Sequence, residues 1–427
     1  VSITNKNKEL ISIFTPSHNP QYLDDAFYSV IKQTYENWEW IIVLNNGAVW
    51  IPPEFDERIK IFQDNKKMGV GEAKNITCSF CTGKYLVELD HDDILSDDCL
   101  EVLVETFQSD DSIGFVYSCT AQINEHGNLE NSRFNPAMGW TYEEEFVNNQ
   151  IVLKANSFIQ YPSTVSYIWF APNHVRAFRK DVYEKVGGYD KSLDVLDDQD
   201  LISRLYQETN FYQINKCLYL QRIHSQNTQK DTTLNQRIQK ETVELYDKYI
   251  EANALAWSRK NNLLSLDLGA AFGKPEGYVG IDVNYTSEVD VVWDLKDGIP
   301  FEDNSIGLIR ANDFLEHFED KVFIFNEMYR VLAHGGMVLS ETPSTDGRGA
   351  FQDPTHISFY NENSFWYFTN EFYAKFVPSI ECKFQVSRLL TYFPTEWHAA
   401  HNISYVRANL VALKDGPRIA GELSFSA

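Results

Sequence analysis

Four short apolar runs between residues 10 and 89 constrain the fold more than any other feature of this chain. The run at 10–14 stops at Thr15-Pro16-Ser17, and the run at 40–44 stops at Asn45-Asn46-Gly47. A third covers 58–62, and a fourth at 85–89 meets Asp90-His91-Asp92-Asp93. Short, mainly apolar runs of this length, closed by turn residues, are expected to be buried strands. Helical spacing lies between them. After Asp24 and Asp25, residues 26–33 set Phe27, Val30 and Ile31 on one face, and 71–80 read as a second helix before Gly83. Strands alternating with helices imply a mostly parallel α/β sheet. Ligands of such sheets bind at the carboxyl ends of strands. The polar turns Thr15-Pro16, Asn45-Asn46 and Asp90-His91-Asp92 are therefore expected to converge.

The last of these turns is the most acidic, with Asp90, Asp92 and Asp93 in four residues. Two carboxylates about 4 Å apart repel by roughly 4 kcal/mol at a near-surface dielectric of about 20, so a gathering of three invites a cation. Oxygen donors suit Mg²⁺ or Mn²⁺, which also take substrate phosphates. The competing reading is a helix N-terminus, since Ser96, Asp97 and Asp98 follow and acid there favours the helix dipole. A net charge of −24 argues against broad nucleic-acid binding. Six scattered cysteines make no disulfide framework, and Cys78 and Cys81, a lone CxxC in a helical stretch, read as small core residues. No run is long enough to span a membrane, and the first residues lack a charged-then-apolar leader, so a cytoplasmic setting is expected. At 427 residues, two or three domains are expected. Rings cluster at 158–170 and 358–376, where core packing is the first reading and stacking on sugar faces the second.

Residues 10–225 resemble an inverting family 2 glycosyltransferase of the GT-A fold. The matching segments are ISIFTPSHN, WEWIIVLNNG, GVGEAKNITCSFCTGKYLVELDHDD, GGYDKSLDVLDDQDLISRL and RIHSQNT, in order. The resemblance implies a nucleotide-sugar donor, most often of uracil, a hydroxyl acceptor on a glycan, lipid-linked glycan or protein, and hexosyl transfer with inversion. It places Asp90 and Asp92 in a DxD motif. Asp92 would bind Mn²⁺ or Mg²⁺, His224 would complete the metal site, and Asp90 would sit near ribose or metal. Thr15, Pro16, Asn19, Asn45, Lys74, Asp90 and His91 would line the donor pocket. Lys74 replaces a usual arginine, and Asn45-Asn46 replace usual aspartates. Asp198 matches the catalytic base, with Asp197 its close rival. A carboxylate there would take the acceptor's proton during attack, help that contributes on the order of 10²–10⁴-fold. By themselves, Asp197, Asp198 and Asp200 read as a helix cap and a solvated face. In WFAPNHVRAFR, His174 reads equally as a core histidine or a site residue.

Beyond residue 228 the pattern changes. Residues 232–258 carry Leu234, Ile238, Val243, Leu245, Tyr246, Tyr249 and Ile250 at helical spacing, a stiff amphipathic connection. A second α/β unit follows, with a strand at 262–268, a Gly269-Ala270-Ala271-Phe272-Gly273 turn, and a strand ending near Asp282. LDLGAAFG, GYVGIDV, VVWDLKDGIPFEDNSIGLIRANDFLEHF and NEMYRVLAHGGMVLSETPS resemble class I S-adenosylmethionine-dependent methyltransferases over about 260–415. The resemblance implies a Rossmann-like domain in which Asp267, Gly269 and Gly273 form the cofactor loop. Asp282 would hold the ribose hydroxyls and Asp294 would lie near adenine. Ala271 replaces the middle glycine, which costs little unless its φ is positive. His317, Asp353 and His356 are candidates for methyl transfer to a sugar hydroxyl; a histidine pKa of about 6.5 suits a base. The expected division is 1–228, a helical linker at 229–259, and 260–427 through a last strand at 403–413. Two other readings stand: a second domain that is a non-catalytic scaffold, and a first domain that is a nucleotidyltransferase. The latter class wants a glycine- and base-rich loop where TPSHNPQYL stands.

Overall fold

The computed structural model describes residues 9–130, 134–170, 172–227 and 231–414. It divides into two compact units, one of residues 1–160 and 164–249 and the other of 161–163 and 250–427.

The first unit is built on β1 (Ile11–Ser17), whose burial is nearly complete. Helix α1 (Leu23–Ile31) leads to β2 (Trp38–Leu44), buried at every position. After β3 (Ile59–Gln63), helix α2 (Val70–Ser79) leads to β4 (Tyr85–Glu88). Contrary to expectation, β3 is not buried: it ends the sheet order, and most of its side chains are exposed. β1 pairs in parallel with β2 and with β4, and β2 with β3. Each Ile, Leu or Val that leaves water here contributes about 1.5–3 kcal/mol. The chain continues through β5 (Ile94–Leu95), α3 (Cys99–Ser109), β6 (Ile113–Asn124), the hairpin β7 (Tyr142–Val147) and β8 (Gln150–Ala155), and the single turn α4 (Pro162–Val165). Then come β9 (Arg176–Arg179), α5 (Lys180–Lys185), α6 (Asp197–Glu208) and β10 (Asn210–Ile223). The sheet order is β3-β2-β1-β4-β9-β6-β10-β5, with β8 on β6. β9 runs antiparallel between β4 and β6, so the sheet is mixed. The parallel half reverses direction between β1 and β4, which opens a crevice at their carboxyl ends.

One boundary differs from expectation. β1 runs through Thr15-Pro16-Ser17, with Pro16 opposite Val43 of β2. The β1–β4 ladder ends at Phe14–Glu88. Ser17 O accepts from Asn45 N on the β2 side, so Pro16 turns its missing N–H to the β4 side, past the last pair.

Helix α7 (Thr232–Lys260) contributes its first part to the first unit and its last part to the second. The second unit contains β11 (Leu264–Leu268), β12 (Val279–Asp282), β13 (Val291–Val292), β14 (Ile306–Asn312), α8 (Lys321–Val331) and β15 (Leu332–Pro343). Short helices α9 (Trp366–Thr369) and α10 (Glu371–Ala374) precede β16 (Phe384–Tyr392), then α11 (Glu396–Ala400) and β17 (Tyr405–Ala412). The sheet order is β13-β12-β11-β14-β15-β17-β16. β13 to β15 are parallel and β17 is antiparallel to both its neighbours. Here the order reverses at β11, which puts the turn after Leu268 in the crevice. Among the described residues no helix is long and apolar enough to cross a membrane.

Candidate functional site

The three polar strand ends of the first unit do meet. A cleft of about 480 Å³ is lined by Pro16, His18 and Asn19 after β1, by Asn45 and Asn46 after β2, and by Asp90, His91 and Asp92 after β4. Lys67 to Val70, Ala73 and Lys74 of the α2 segment, Asp93, and Gln221, Ile223, His224, Gln226 and Asn227 around the end of β10 complete it. Thr15 does not line it. Alternation along β1 turns its side chain into the core, where the hydroxyl donates to Leu89 O at 2.7 Å and accepts from Trp40 Nε1 at 2.9 Å.

All three acids of the run border the cleft, but they differ in burial. Asp93 is buried and accepts the Arg222 backbone N–H at 2.7 Å. Burial, then Asp92 and Asp90, holds its pKa well above the usual carboxylate range. Asp90 and Asp92 stay partly exposed to the cleft. The Arg222 guanidinium, fully buried, donates to Asp92 O at 2.8 Å and to Asp25 Oδ2 at 2.7 Å, which clamps this turn to α1.

Asp92 Oδ2 lies 2.9 Å from His224 Nε2 and 3.4 Å from Asn227 Nδ2. Gln226 N–H donates to His224 Nδ1 at 3.1 Å. The ring proton is therefore on Nε2 and points at Asp92. To ligate a metal through Nε2, His224 must carry that proton on Nδ1 instead, at the expense of the Gln226 bond. Asp90 falls in a different cluster, with Glu88 and His174, whose ligand-type atoms lie within 4.8 Å of one another. His174 Nε2 is 3.8 Å from Asp90 and 3.6 Å from Glu88, and its ring stacks on Tyr219. Asn19 donates to Gln226 at 3.0 Å across the cleft mouth. His91 meets His18 edge to face at 5.2 Å. Burial of His18, with His91 beside it, lowers the His18 pKa. Asn45 Oδ1 is buried and has no partner among the described residues.

Asp197 and Asp198 do not line the cleft. They begin α6, and a buried charge network joins them to it. Lys74 Nζ, a cleft residue, is 2.5 Å from Glu88 Oε1 and 3.0 Å from Asp197 Oδ2. Arg176 Nη1 is 2.7 Å from Asp198 Oδ2 and 3.8 Å from Glu88 Oε2. Burial dominates at Asp197 and lifts its pKa to about 6 against the pull of Lys74. Burial also opposes ionisation of Asp198, but Arg176 and then Lys74 outweigh it and hold its pKa below the ordinary range. Of the two acids, Asp198 has the more exposed side chain, 20% against 6%. The loop before α6 is held by α2. Gly71 N–H donates to Leu193 O, and a Cβ on Gly71 would lie 2.1 Å from Asp190 O. This explains the second glycine in GVGEAKN.

Glu88 was not among the residues expected at the site, and Arg176 was expected only as one of the polar members of WFAPNHVRAFR. The available signal was an acid inside the apolar run YLVEL, since such an acid, once buried, needs a cation. The 158–170 rings pack mostly on each other, with Tyr167 stacked between Trp169 and Tyr246.

In the second unit, Gly269 N–H and Ala270 N–H both donate to Ile281 O, which folds the loop after β11 over β12. Gly269 has φ +72°, and Ala271 has φ +37°. The methyl of Ala271 therefore sits in the left-handed region, at a cost of roughly 1–2 kcal/mol. Ala271 N–H donates to Asp282 Oδ2 at 3.3 Å. Trp293 N–H donates to Asp282 O, which sets Asp294 nearby, where it caps a short 3₁₀ turn. Gly273 has open space around it. Asp267 faces Arg310 Nη1 at 2.8 Å, with its second oxygen buried and unpartnered among the described residues, and burial raises its pKa. The structure thus groups Gly269, Ala271, Asp282 and Asp294, and turns Asp267 to Arg310. His317 and His356 lie with ring centroids 5.0 Å apart. Asp353 Oδ1 accepts Thr355 Oγ1–H at 2.6 Å. That bond and the Thr355 N–H lower the Asp353 pKa.

Comparison with known proteins gives a family match within each unit. Residues 12–187 match glycosyl transferase family 2, and residues 274–340 match a methyltransferase domain family. The second match begins just past the 269–273 loop. The chain is 25% identical to a chondroitin synthase of Escherichia coli over 241 residues, 53% of this chain and 31% of the synthase. It is 24% identical to a hyaluronan synthase of Pasteurella multocida over 306 residues, 67% of this chain and 27% of that protein. It thus spans under a third of these relatives. A solved structure of S. aureus TarS aligns with TM-score 0.39 at 12% identity, covering 63% of this chain and 76% of that one. The chain carries a glycosyl transferase family 2 domain of GT-A-like fold, followed by a domain of a methyltransferase family.

Proposed function

We propose that the first unit, taken as residues 1–228, transfers a sugar from a nucleoside-diphosphate donor to a hydroxyl of a glycan, lipid-linked glycan or protein acceptor, with inversion. The observation that carries this reading is the pairing of the Asp90-Asp92 cleft with an ionised carboxylate at Asp198, joined by the Lys74–Glu88–Arg176 network. A diphosphate entering the cleft meets Asp90 and Asp92, while Lys74 is already held by Glu88 and Asp197. That charge balance fits a divalent ion, Mn²⁺ or Mg²⁺, held by Asp92 with His224 and Asp90 as further donors. When bound, such an ion neutralises charge on the leaving diphosphate. The unpartnered acceptor Asn45 Oδ1 fits the N3–H of uracil, so UDP-sugars are the favoured donors. Asp198 takes the acceptor proton as its oxygen bonds to the anomeric carbon and the nucleoside diphosphate departs. Arg176 keeps Asp198 ionised for that task. Incubating the chain with Mn²⁺ and a panel of nucleotide sugars tests this. Acceptor-dependent release of nucleoside diphosphate supports it, and no release from any donor refutes it.

For the second unit, beyond a linker at 229–259, the reading is S-adenosylmethionine binding and methylation of a sugar hydroxyl. Gly269 at φ +72° and the Asp282 carboxylate beside it support cofactor binding there. One observation favours a second reading, a non-catalytic scaffold: Ala271 holds a strained left-handed conformation where glycine would be free of cost. Calorimetric titration with S-adenosylmethionine separates them, since a scaffold gives no heat. The six free, buried cysteines suit a cytosolic setting for both activities.

A further inference from the structure

The second unit brings two histidines and one buried carboxylate to a point beside the glycine loop. Glu316 follows β14 on a 3₁₀ turn, Leu315–His317, at the carboxyl edge of the sheet. A Cβ on Gly269 would lie 3.0 Å from the Phe314 ring, so this turn packs directly against the loop after β11. Glu316 O accepts both Ile357 N–H and Ser358 N–H at 2.9 Å, which docks the 353–358 segment and sets His356 beside His317. Ligand-type atoms of Glu316, His317 and His356 all lie within 4.8 Å of one another.

The protonation of the three side chains follows from their other contacts. His356 Nδ1 is 3.0 Å from Ala350 O. His317 Nδ1 is 3.2 Å from Thr355 O and 3.1 Å from Thr355 Oγ1, whose own proton goes to Asp353. A carbonyl only accepts, so both Nδ1 atoms carry the ring proton and both Nε2 atoms present lone pairs. Backbone carbonyls that hold Nδ1–H in this way fix the tautomer that metal-ligating histidines need. Glu316 is 2% exposed. Thr342 Oγ1 donates to its Oε2 at 2.5 Å, while Oε1 is buried without a partner among the described residues. A buried carboxylate oxygen with no donor is costly unless a cation meets it.

We propose that Glu316, His317 and His356 bind a divalent transition ion of the Zn²⁺, Fe²⁺ or Co²⁺ class through two imidazole nitrogens and one carboxylate oxygen. Two nitrogen donors favour such ions over Mg²⁺ or Ca²⁺. Three protein donors leave coordination positions for water or for a hydroxyl of a bound sugar. Only the use of those positions for a methyl acceptor rests on the methyl-transfer reading.

The test is Co²⁺ titration of the full chain in excess Mg²⁺, followed by visible absorption, with no S-adenosylmethionine present. One Mg²⁺-resistant Co²⁺ with ligand-field bands is expected. His317→Gln and His356→Ala each remove a ligand and should weaken it at least as much as loss of a supporting partner does, about 10–100-fold, while Asp92→Asn keeps it. Circular dichroism checks that the variants fold, and the more exposed His317 is the safer site. Absence of Mg²⁺-resistant binding in the unaltered chain, or binding unchanged in both histidine variants, overturns the proposal. Failure of methyl transfer alone leaves the ion site standing.

Discussion

His224 Nε2 lies 2.9 Å from Asp92 Oδ2, although 132 positions separate the two residues. β10 and the β4 turn meet there, with Arg222 clamped to Asp92 O two residues before the histidine. Replacing Asp92 by Asn removes the charge that faces the cleft, and metal-dependent sugar transfer should fall by about 100-fold or more. His224→Ala should cost less, about 10–100-fold, because it removes a neutral further donor and disturbs the orientation of Asp92 while leaving the Asp92 charge. Nucleoside diphosphate release against Mn²⁺ concentration reads both effects.

Lys74 holds two buried carboxylates at once, Glu88 at 2.5 Å and Asp197 at 3.0 Å. Lys74→Met leaves both acids facing each other in a low dielectric. Removing one partner of a buried pair costs about 3–5 kcal/mol. Denaturant unfolding should show the loss in the transition of the first unit, and a stability unchanged within error would mean that solvent reaches the network.

If Asp198 is the base, as proposed, Arg176 would set the acid limit of transfer. Asp198 is held below the ordinary carboxylate range, so it stays ionised as pH falls, and the proposed base function would be lost only below that depressed pKa. In Arg176→Met, burial acts with less opposition and the pKa of Asp198 rises. The acid limb of the kcat profile should then move to higher pH. An acid limb that does not move would separate Asp198 from the rate.

Two substitutions in the 269–273 loop should act in opposite directions. Gly269→Ala forces a side chain to φ +72° and 3.0 Å from Phe314, so S-adenosylmethionine binding should weaken. The strain alone is roughly 1–2 kcal/mol. Ala271→Gly relieves the strain at φ +37° and should leave binding as tight or tighter. Calorimetry on both variants measures the difference.

The strand ends were legible because buried parallel strands read as unbroken apolar runs, and polar residues can follow only where such strands surface. Pro16, Asn45, Asp90 and Asp92 therefore reached the cleft as expected. Thr15 did not, because the run end was visible while the alternation of faces along β1 was overlooked. The Lys74–Glu88–Arg176 network was hidden for another reason. Its members come from α2, β4 and β9, and although Lys74 was expected in the donor pocket, nothing in the sequence pairs it with Glu88 or Asp197. The β7–β8 hairpin escaped notice because YEEEFV is largely exposed and carries little apolar signal. The left-handed Ala271 could not be read at all, since alanine carries no mark of a positive φ.

The central claim is that Asp198 is the base of a sugar transfer whose donor sits in the Asp90-Asp92 cleft. Asp198→Asn tests it most directly, with donor affinity and transfer rate measured on the same preparation. The account predicts Mn²⁺-dependent donor binding within about twofold of the unaltered chain and a transfer rate lower by at least about 10²-fold. Transfer at the unaltered rate, with donor binding intact, would contradict it.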